Sequence, residues 1–361
     1  MKAAIVHDWL NGMRGGEKCL EEILDLFPEA PIYTIHCDPE KLSKKIQARE
    51  IRTSWVQNLP WRKSKYRYYL PLFPWAIQSF DLSSYDLIFS ISHCVSKGVR
   101  VRKGQKHICY CLTPMRYLWG FQNEYFNSGP YDWTKFLGRQ QILEWLKRWD
   151  IKTAQNVTSY IAISNHVRDR IKTVYGRDSQ VVYPPVDCDR FYYQESENRK
   201  DYFLIVSALV PYKRIDLAIE TFNQLALPLK IIGAGTELPR LKAMSGPNIE
   251  FLGWRSDEDL RRYYTEARAL IFPGEEDFGI APLEAQACGT PVIAFKQGGA
   301  LETVRENMTG VFFDQQSAAS LTEAIEKNGA IHYDRRTLRS HALMFDRSVF
   351  LNRVRQYLMG P

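Results

Sequence analysis

Short apolar runs alternate with longer amphipathic segments along the whole chain. In the first half, residues 3–7 and the runs "SYDLIFSIS" and "HICYCL" predict buried strands, while apolar residues at 20, 23, 24 and 27 predict a helix. In the second half, "YFLIVSAL", "LKIIG" and "TPVIAF" predict further strands; helical segments follow the first and the last of them, and a glycine loop follows "LKIIG". Because strands alternate with helices in both halves, the pattern predicts an α/β protein with two doubly wound, Rossmann-like domains facing a cleft.

The two halves are separated by a polar run, "YYQESENRKD" at residues 192–201, which predicts an interdomain linker. We therefore expect an N-terminal domain at residues 1–195 and a C-terminal domain at residues 196–345. Residues 346–361 carry apolar positions at helical spacing and predict a final amphipathic helix. The chain has 361 residues, which suits two domains because a single core rarely serves more than about 250–300 residues.

The most informative stretch is "FPGEEDFGIAPLEAQACG", residues 272–289. It predicts the end of a buried strand, an acidic turn and a short helix, with Pro282 in the first helical turn and Gly289 just past the last. Four backbone amides then lie at the helix N-terminus, where the helix dipole favours phosphate. They belong to Phe278, Gly279, Ile280 and Ala281.

Three acidic residues, Glu275, Glu276 and Asp277, lie in the approach to this N-terminus. Carboxylates repel phosphate but accept hydrogen bonds from hydroxyl groups, so the turn suits a ligand that carries both, such as a nucleotide sugar. A second acid, Glu284, follows Glu276 after seven intervening residues. The alternative is that acids at a helix start only complement the helix dipole.

Two cations, Lys213 and Arg214, come just before a predicted helix in "VPYKRIDLAIETF". Two positive charges at a helix N-terminus suit a pyrophosphate leaving group, although exposed surface cations would give the same pattern. The next glycine loop, "GAGTEL", has Leu238 where the third glycine of a dinucleotide-binding loop is needed. A dehydrogenase is therefore disfavoured.

The triplet Asp257-Glu258-Asp259 has the form of a metal-binding D-x-D motif. Ser256 and Asp259, however, are spaced as a helix N-cap and its partner three residues on. We therefore expect a helix cap here and no metal.

Glycines and polar residues also occur at predicted strand ends in the first half. Gly15 and Gly16 lie between the first strand and its helix, where glycine lets a ligand approach the backbone closely. His93 ends a buried strand at the edge where open α/β sheets bind ligands, although a lone histidine can also be structural. The loop "TPMRYLWG" after the next strand adds Arg116, Tyr117 and Trp119.

The composition is that of a globular protein, with 45% hydrophobic and 25% charged residues. Seven cysteines without a C-x-x-C pair predict buried, reduced thiols. We find no apolar run of 18 residues, and His7 and Asp8 interrupt the N-terminus too early for a signal peptide. The expected location is the cytoplasm.

The net charge of +7 is concentrated in residues 41–75. Residues 41–72 contain nine lysines and arginines but only one acid, Glu50, and the stretch also contains many aromatic residues. This mixture suits an anionic membrane surface or single-stranded nucleic acid. A solvated basic face over a partly buried aromatic cluster would look the same.

Taken together, the stretch from residue 272 to "TPVIAF" resembles the family 4 retaining glycosyltransferases, which have the GT-B fold, and is most similar to mannosyltransferase-type members of bacterial polysaccharide assembly. Their signature is a Glu, seven residues and a second Glu. The resemblance implies that Glu276 contacts donor-sugar hydroxyls, that Glu284 binds the nucleotide ribose and that His93 contacts the sugar. It also implies a phosphate-facing loop at Gly15 and Gly16.

Two positions depart from the family pattern. Ala208 stands where the family has an Arg four residues before its Lys, so only Lys213 matches unless Arg214 replaces that Arg. Leu112 stands where similar proteins have a His, which weakens an acceptor role for the neighbouring Arg116, Tyr117 and Trp119. The resemblance covers nearly the whole chain, less specifically at residues 40–75 and 115–150, where acceptors are recognised, and it implies that the last helix returns to the N-terminal domain.

We therefore expect a retaining, metal-independent hexosyltransferase that uses a nucleotide sugar as substrate and needs no cofactor. GDP-mannose is the first expected donor, and the acceptor is a glycan or a lipid-linked sugar at the inner face of the membrane. The alternatives are UDP-glucose or another donor, and a nucleotide-sugar-binding module without catalysis. A nucleic-acid partner is not expected.

Overall fold

The computed structural model describes residues 2–120, 138–195 and 199–359. The chain divides into two compact units, Met1–Tyr183 with Leu351–Pro361, and Pro184–Phe350. The predicted boundary was later, in the polar run at residues 192–201. That run lies in the second unit, and its residues 196–198 fall outside the described part of the chain. Both units have the parallel α/β architecture that the alternation of strands and helices predicted, so the predicted fold class is confirmed.

The first unit contains a seven-stranded parallel sheet with the order β3-β2-β1-β4-β5-β6-β7. Its strands are β1 Ala3–His7, β2 Ile32–Thr34, β3 Ile51–Thr53, β4 Leu87–Ser92, β5 Lys106–Cys111, β6 Ser159–Ala162 and β7 Ser179–Val181. Its helices are α1 Gly15–Ile23, α2 Lys44–Gln47, α3 Arg62–Lys65, α4 Phe73–Gln78, α5 Arg139–Ala154 and α6 Asn165–Tyr175. The strand order reverses between β1 and β4, and such switch points are where open α/β sheets bind ligands at the carboxyl ends of their strands.

The second unit contains a six-stranded parallel sheet with the order β10-β9-β8-β11-β12-β13. Its strands are β8 Phe203–Val206, β9 Leu229–Ile232, β10 Ile249–Gly253, β11 Leu270–Phe272, β12 Val292–Phe295 and β13 Gly310–Phe313. Its helices are α7 Ile215–Leu225, α8 Leu238–Met244, α9 Asp257–Glu266, α10 Ile280–Ala287, α11 Ala300–Thr303, α12 Ala318–Gly329 and α13 Arg335–Leu343. Here the switch point lies between β8 and β11.

The last helix, α14 Arg347–Met359, begins in the second unit, and its residues from Leu351 onward belong to the first. Tyr357 donates a hydrogen bond from its hydroxyl to the carbonyl of Tyr160 in β6, over 3.3 Å. The final amphipathic segment is therefore a helix, as its apolar spacing predicted.

Helix boundaries follow local sequence rules where a capping residue is present. The Ser164 side chain accepts from the amide of Val167 at the start of α6, and Gly176 ends that helix with a left-handed φ of 67°. Ser256 likewise accepts from the amide of Asp259 at 3.2 Å and caps α9, which confirms the capping interpretation of the D-x-D triplet.

Each unit has its own apolar core around its sheet. Strand β4 is buried along its whole length, as expected for a strand covered on both faces. All seven cysteines are buried thiols. Within the described residues, no helix is both long enough and apolar enough to cross a lipid bilayer.

Candidate functional site

In the second unit, the predicted acidic turn connects β11 to α10 beside the switch point. A side-chain carbon at Gly274 would lie only 2.8 Å from the Lys213 Cα atom, so glycine lets this turn pack directly against the loop after β8. This close approach brings the Lys213 ammonium into an ion pair with the Glu276 carboxylate. Only 12% of the Lys213 side chain and 18% of the Glu276 side chain are exposed, so solvent screens the pair weakly.

The turn ends in a helix N-terminus of the predicted kind. Gly279 is the N-cap of α10 and has a φ of 92°, a left-handed conformation that favours glycine, and Ile280 and Ala281 begin the helix. The amide of Gly299 donates to the carbonyl of Glu276 at 2.7 Å and ties the turn to the loop after β12. Phe278 is buried, which fixes the turn from the other side.

Glu284 lies one turn into α10 and is only 6% exposed. Its Oε2 atom accepts a hydrogen bond from the Tyr264 hydroxyl of α9 over 2.9 Å. Burial and the neighbouring Glu284 carboxylate together raise the pKa of Tyr264 well above its ordinary value, so Tyr264 remains a donor. This partner could not be predicted from the sequence, because Tyr264 lies on a different helix.

The two cations after β8 point to different partners. Lys213 contacts Glu276, whereas Arg214 adopts a left-handed φ of 51° and donates to the Gln316 side chain at 2.7 Å. Gln316 in turn donates to the carbonyl of Pro273, directly after β11. The structure thus brings Lys213 to the acidic turn and engages the Arg214 guanidinium with Gln316 and Asp216.

In the first unit, a second polar cluster lies at the β1/β4 switch point. Asp8, which directly follows β1, is fully buried and accepts hydrogen bonds from the backbone amides of residues 93–96. His93 follows β4, and its Nδ1 atom lies 3.0 Å from Asp8 Oδ2. Burial alone would raise the pKa of Asp8, but His93 and these hydrogen bonds hold it well below its ordinary value.

The contacts of Asp8 were not predicted, although the position of Asp8 directly after a buried strand indicated a place at the ligand-binding edge. A carboxylate at the carboxyl end of a buried strand lies at the ligand edge of an open sheet, which is the argument that singled out His93. Only the order of β1 and β4 in the sheet shows that the two residues are neighbours.

Gly15 and Gly16 open α1 beside this cluster. Gly16 packs against His7 and Leu112, because a side-chain carbon there would lie 3.5 Å from the His7 Nε2 atom and 2.8 Å from the Leu112 Cδ1 atom. Burial lowers the pKa of His7, and its Nδ1 atom lies 3.0 Å from the carbonyl oxygen of Trp9. The predicted glycine loop, Gly15 and Gly16, and the predicted histidine, His93, therefore lie at the same edge of the first sheet.

The predicted acceptor-side residues are mostly held by packing. Tyr117 is buried in the first unit's core, and Trp119 packs against that core from its edge. The Trp119 indole donates to the buried Asp150 carboxylate at 2.8 Å, which also pairs with the buried Lys97. Arg116 is partly buried, and part of the predicted acceptor region, residues 121–137, lies outside the described residues.

Among residues 2–120, 138–195 and 199–359, no group of three or more histidine, cysteine, aspartate or glutamate side chains is arranged to hold a metal ion. Asp257 instead pairs with Arg190, and Asp259 serves the α9 cap.

Comparison with known proteins gives consistent relatives. Residues 191–331 match the family model of the group 1 glycosyl transferases. A GDP-mannose-dependent alpha-(1-6)-phosphatidylinositol monomannoside mannosyltransferase of Mycobacterium tuberculosis is 30% identical over 45% of this chain and 50% of its own length. A D-inositol 3-phosphate glycosyltransferase of a Mycobacterium species is 27% identical over 53% of this chain and 46% of its own length. The chain thus spans about half the length of these curated relatives.

Solved structures match over almost the whole chain. HepE of Anabaena, in complex with UDP and glucose, has a TM-score of 0.71 at 17% identity, with 99% of this chain and 100% of that chain covered. Sucrose-phosphate synthase of Thermosynechococcus elongatus has a TM-score of 0.75 at 18% identity, with 99% and 98% covered. At these identities the likeness concerns the fold.

Proposed function

We propose that the chain transfers a hexose from a nucleotide sugar to a glycan or lipid-linked acceptor in bacterial surface polysaccharide synthesis, because residues 191–331 match the family model of the group 1 glycosyl transferases. We propose a retaining, metal-independent reaction with mannose from GDP-mannose as the donor to test first. The name of the mycobacterial mannosyltransferase relative supports that donor. The bound UDP and glucose in the structural neighbour HepE support UDP-glucose as the second donor.

One observation carries the proposal: a weakly solvated Lys213–Glu276 pair stands beside the N-terminus of α10 at the β8/β11 switch point. A nucleotide sugar presents a pyrophosphate and sugar hydroxyls next to each other. Lys213 and the α10 amides suit the pyrophosphate, and Glu276 suits the hydroxyls. A ligand with only a pyrophosphate or only hydroxyl groups would bind one residue of the pair and leave the charge of the other residue without a partner.

The proposed chemistry uses this charge arrangement directly. As the glycosidic bond breaks, negative charge grows on the departing phosphate, and Lys213 with the α10 N-terminus stabilises it. The acceptor hydroxyl attacks from the face that the phosphate leaves and passes its proton to the departing phosphate, so the sugar keeps its configuration and no residue becomes a covalent nucleophile. In this scheme Glu284 binds the ribose, His93 contacts the transferred sugar, and Arg214 supports the loop that carries Lys213.

Donor hydrolysis tests the proposal, because a binding module without catalysis releases no nucleoside diphosphate. Wild-type protein is incubated with GDP-mannose, UDP-glucose and other nucleotide sugars, and released nucleoside diphosphate is measured with and without a lipid-linked acceptor. We expect release from GDP-mannose, and none from the Glu276→Gln variant. Glu250→Gln, which removes the charge of the exposed Glu250 in the same unit, is the matched control and should hydrolyse at the wild-type rate. Binding without release from any donor would favour the binding module.

We further propose that residues 41–75 attach the protein to the inner, anionic membrane face. Exposed aromatic rings at Trp55, Trp61, Tyr68 and Trp75 support this, and Trp61 is 71% exposed. The structure also shows that acids neutralise five of the cations in this stretch: Lys41, Lys45, Arg52, Arg62 and Lys63. Arg62 pairs with the fully buried Asp38 and is therefore part of the fold.

The membrane proposal is tested by sedimentation with anionic vesicles. Replacing the exposed Lys44 and Lys65 by Gln should weaken vesicle binding, since each cation near the surface contributes about 1 kcal/mol at low salt. Donor hydrolysis should persist. Arg62 is left unchanged so that Asp38 keeps its partner. Absence of wild-type binding, or binding that survives both this variant and high salt, would identify the stretch as a solvated face, and oligonucleotide binding would indicate nucleic acid.

A further inference from the structure

We infer that Asp8 is a positioning residue that holds the Nδ1 nitrogen of His93, so that Nε2 is the nitrogen His93 offers to a ligand. The contact to Asp8 is observed, whereas the identity of the ligand, a sugar hydroxyl, rests on the proposed function. The two parts are therefore tested separately.

The Asp8 carboxylate is surrounded by donors. Its Oδ1 atom accepts from the amides of Val95 and Ser96 at 2.6 and 2.7 Å, and its Oδ2 atom accepts from those of His93 and Cys94 at 2.7 and 2.9 Å. The His93 Nδ1 atom lies 3.0 Å from the same Oδ2 atom. With no exposed surface, Asp8 cannot exchange these partners for water.

This arrangement determines which His93 nitrogen carries the hydrogen. An ionised carboxylate 3.0 Å away attracts a ring N–H and repels a bare ring nitrogen. The charge of Asp8 therefore favours the hydrogen on Nδ1, and in the neutral ring Nε2 then keeps its lone pair. A neutral His93 held in this way accepts a hydrogen bond from a hydroxyl group.

Packing fixes the orientation of the ring as well. The Trp9 ring meets His93 edge to face, with centroids 4.5 Å apart and planes at 85°, and Trp9 itself packs on Tyr66 and Phe73. The His93 side chain keeps 27% of its surface exposed, whereas its Nδ1 atom is enclosed, lies 3.0 Å from Asp8 Oδ2 and makes no well-aligned hydrogen bond. Asp8 and Trp9 thus restrict the ring while part of it stays accessible.

A purely structural role for Asp8 would also explain part of this geometry. The carboxylate closes the loop after β4 through four backbone amides, and that closure needs nothing from the imidazole. The two roles differ in the tautomer of His93, which only the positioning role constrains.

The tautomer is measured by nitrogen NMR on the full chain labelled at its histidines, at a pH where the His93 ring is neutral. The His93→Gln variant assigns the resonance. We expect wild-type His93 to carry its hydrogen on Nδ1. A hydrogen on Nε2 would overturn the inference, whether or not the protein is a transferase.

Two variants separate positioning from loop closure. Ser96→Ala removes the hydrogen bond from the Ser96 hydroxyl to the Ile91 carbonyl in the same loop, and it should lower the melting temperature without changing the tautomer. A tautomer change in Ser96→Ala would show that the loop, rather than the carboxylate, sets it. His93→Asn places an amide nitrogen near the former Nδ1 atom and lacks Nε2.

The His93→Asn variant should keep the wild-type melting temperature and lose donor turnover by about tenfold or more, the effect of one lost transition-state hydrogen bond. Undiminished turnover would overturn the ligand part of the inference. If the wild type itself hydrolyses no nucleotide sugar, the proposed function fails, while the tautomer still decides the role of Asp8.

Discussion

Lys213 and Glu276 neutralise each other's charge at a place where both side chains are largely buried. Removing one partner of such a pair leaves a poorly solvated charge, so a single substitution changes stability together with chemistry. Any variant of either residue therefore needs a measurement that separates folding from turnover.

We predict that Lys213→Ala lowers kcat more than it weakens donor binding, because charge on the departing phosphate rises toward the transition state. The measurements are kcat, the donor dissociation constant and the melting temperature. Lys327→Ala, which removes the exposed pair with Glu306 in the same unit, is the control and should change none of them markedly. Unchanged turnover with weaker binding would show that Lys213 only anchors the ground state.

For Glu284, the structure calls for a milder substitution than alanine. Truncation to alanine would leave the buried Tyr264 hydroxyl without its acceptor, at a cost of about 1–3 kcal/mol in stability. Glu284→Gln keeps one acceptor oxygen for Tyr264. We expect it to weaken donor binding by roughly 1–3 kcal/mol, because a carboxylate accepting from two ribose hydroxyls is lost.

Calorimetric titration with the nucleotide checks this prediction. Tyr264→Phe is the matched control, since it removes the hydroxyl and leaves the carboxylate in place. A Tyr264→Phe variant that loses as much affinity as Glu284→Gln would point to the packing of α9 against α10 as the cause. Normal affinity in Glu284→Gln would contradict the ribose role.

At the scale of elements, both polar clusters lie where the strand order of a sheet reverses. In the first sheet, Asp8 and His93 directly follow the neighbouring strands β1 and β4. In the second sheet, β8 and β11 lead into the loops that carry Lys213 and Glu276. The connections that follow two such neighbouring strands lead to opposite sides of the sheet and leave a crevice at the carboxyl ends, which explains why polar side chains from distant segments meet there.

The start of α10 depends on the backbone conformation of one residue. Gly279 has a φ of 92°, and a side-chain carbon there would lie 2.8 Å from the Phe272 ring. We predict that Gly279→Ala costs at least about 1 kcal/mol in stability and weakens donor binding, because it strains the turn and displaces the α10 amides.

Thermal unfolding and nucleotide titration check this prediction together. Gly329→Ala is the control: Gly329 ends α12, no atom lies within 4 Å of the added carbon, and its φ is not left-handed. That substitution should be neutral or stabilise by about 0.5–1 kcal/mol. Equal melting temperatures for Gly279→Ala and wild type would show that the turn relaxes without cost.

At the scale of the whole molecule, buried histidines link stability to pH. Burial lowers the pKa of His36 to about 4, of His107 to about 3 and of His341 to about 4. In the unfolded chain these histidines are protonated as the pH falls through about 6.5, whereas in the folded chain they stay neutral until a much lower pH. Their contribution is therefore fully present above about pH 6.5 and is lost as the pH falls toward 4.

We predict that the free energy of unfolding falls between pH 7 and pH 5 by up to about 2 kcal/mol for each of these histidines. Chemical denaturation at several pH values measures it. His341→Asn, which keeps a side-chain amide near Gln286, should reduce the loss, and substitution of the exposed His332 by Gln should leave it unchanged. A free energy of unfolding that is constant from pH 7 to pH 5 would contradict the prediction.

The sequence by itself determined the local structure of this protein. The apolar runs predicted β1 at Ala3–His7 and the other strands that were assigned to such runs. Helix ends were predicted by the capping residues Ser164, Gly176 and Ser256. It also located the acidic turn and the N-terminus of α10. These features depend on side-chain periodicity and on hydrogen bonds between residues close in the chain. Both can be predicted from a single sequence.

Only the tertiary structure decided which of these residues meet. The Lys213–Glu276 pair, the Tyr264–Glu284 hydrogen bond and the Asp8–His93 contact each join segments far apart in sequence. The same holds for Arg62, which looked like one of several free cations and is held by the buried Asp38. Hydrophobic periodicity states that a strand is buried but not which strand lies beside it, so contacts at strand ends follow from the order of strands in the sheet.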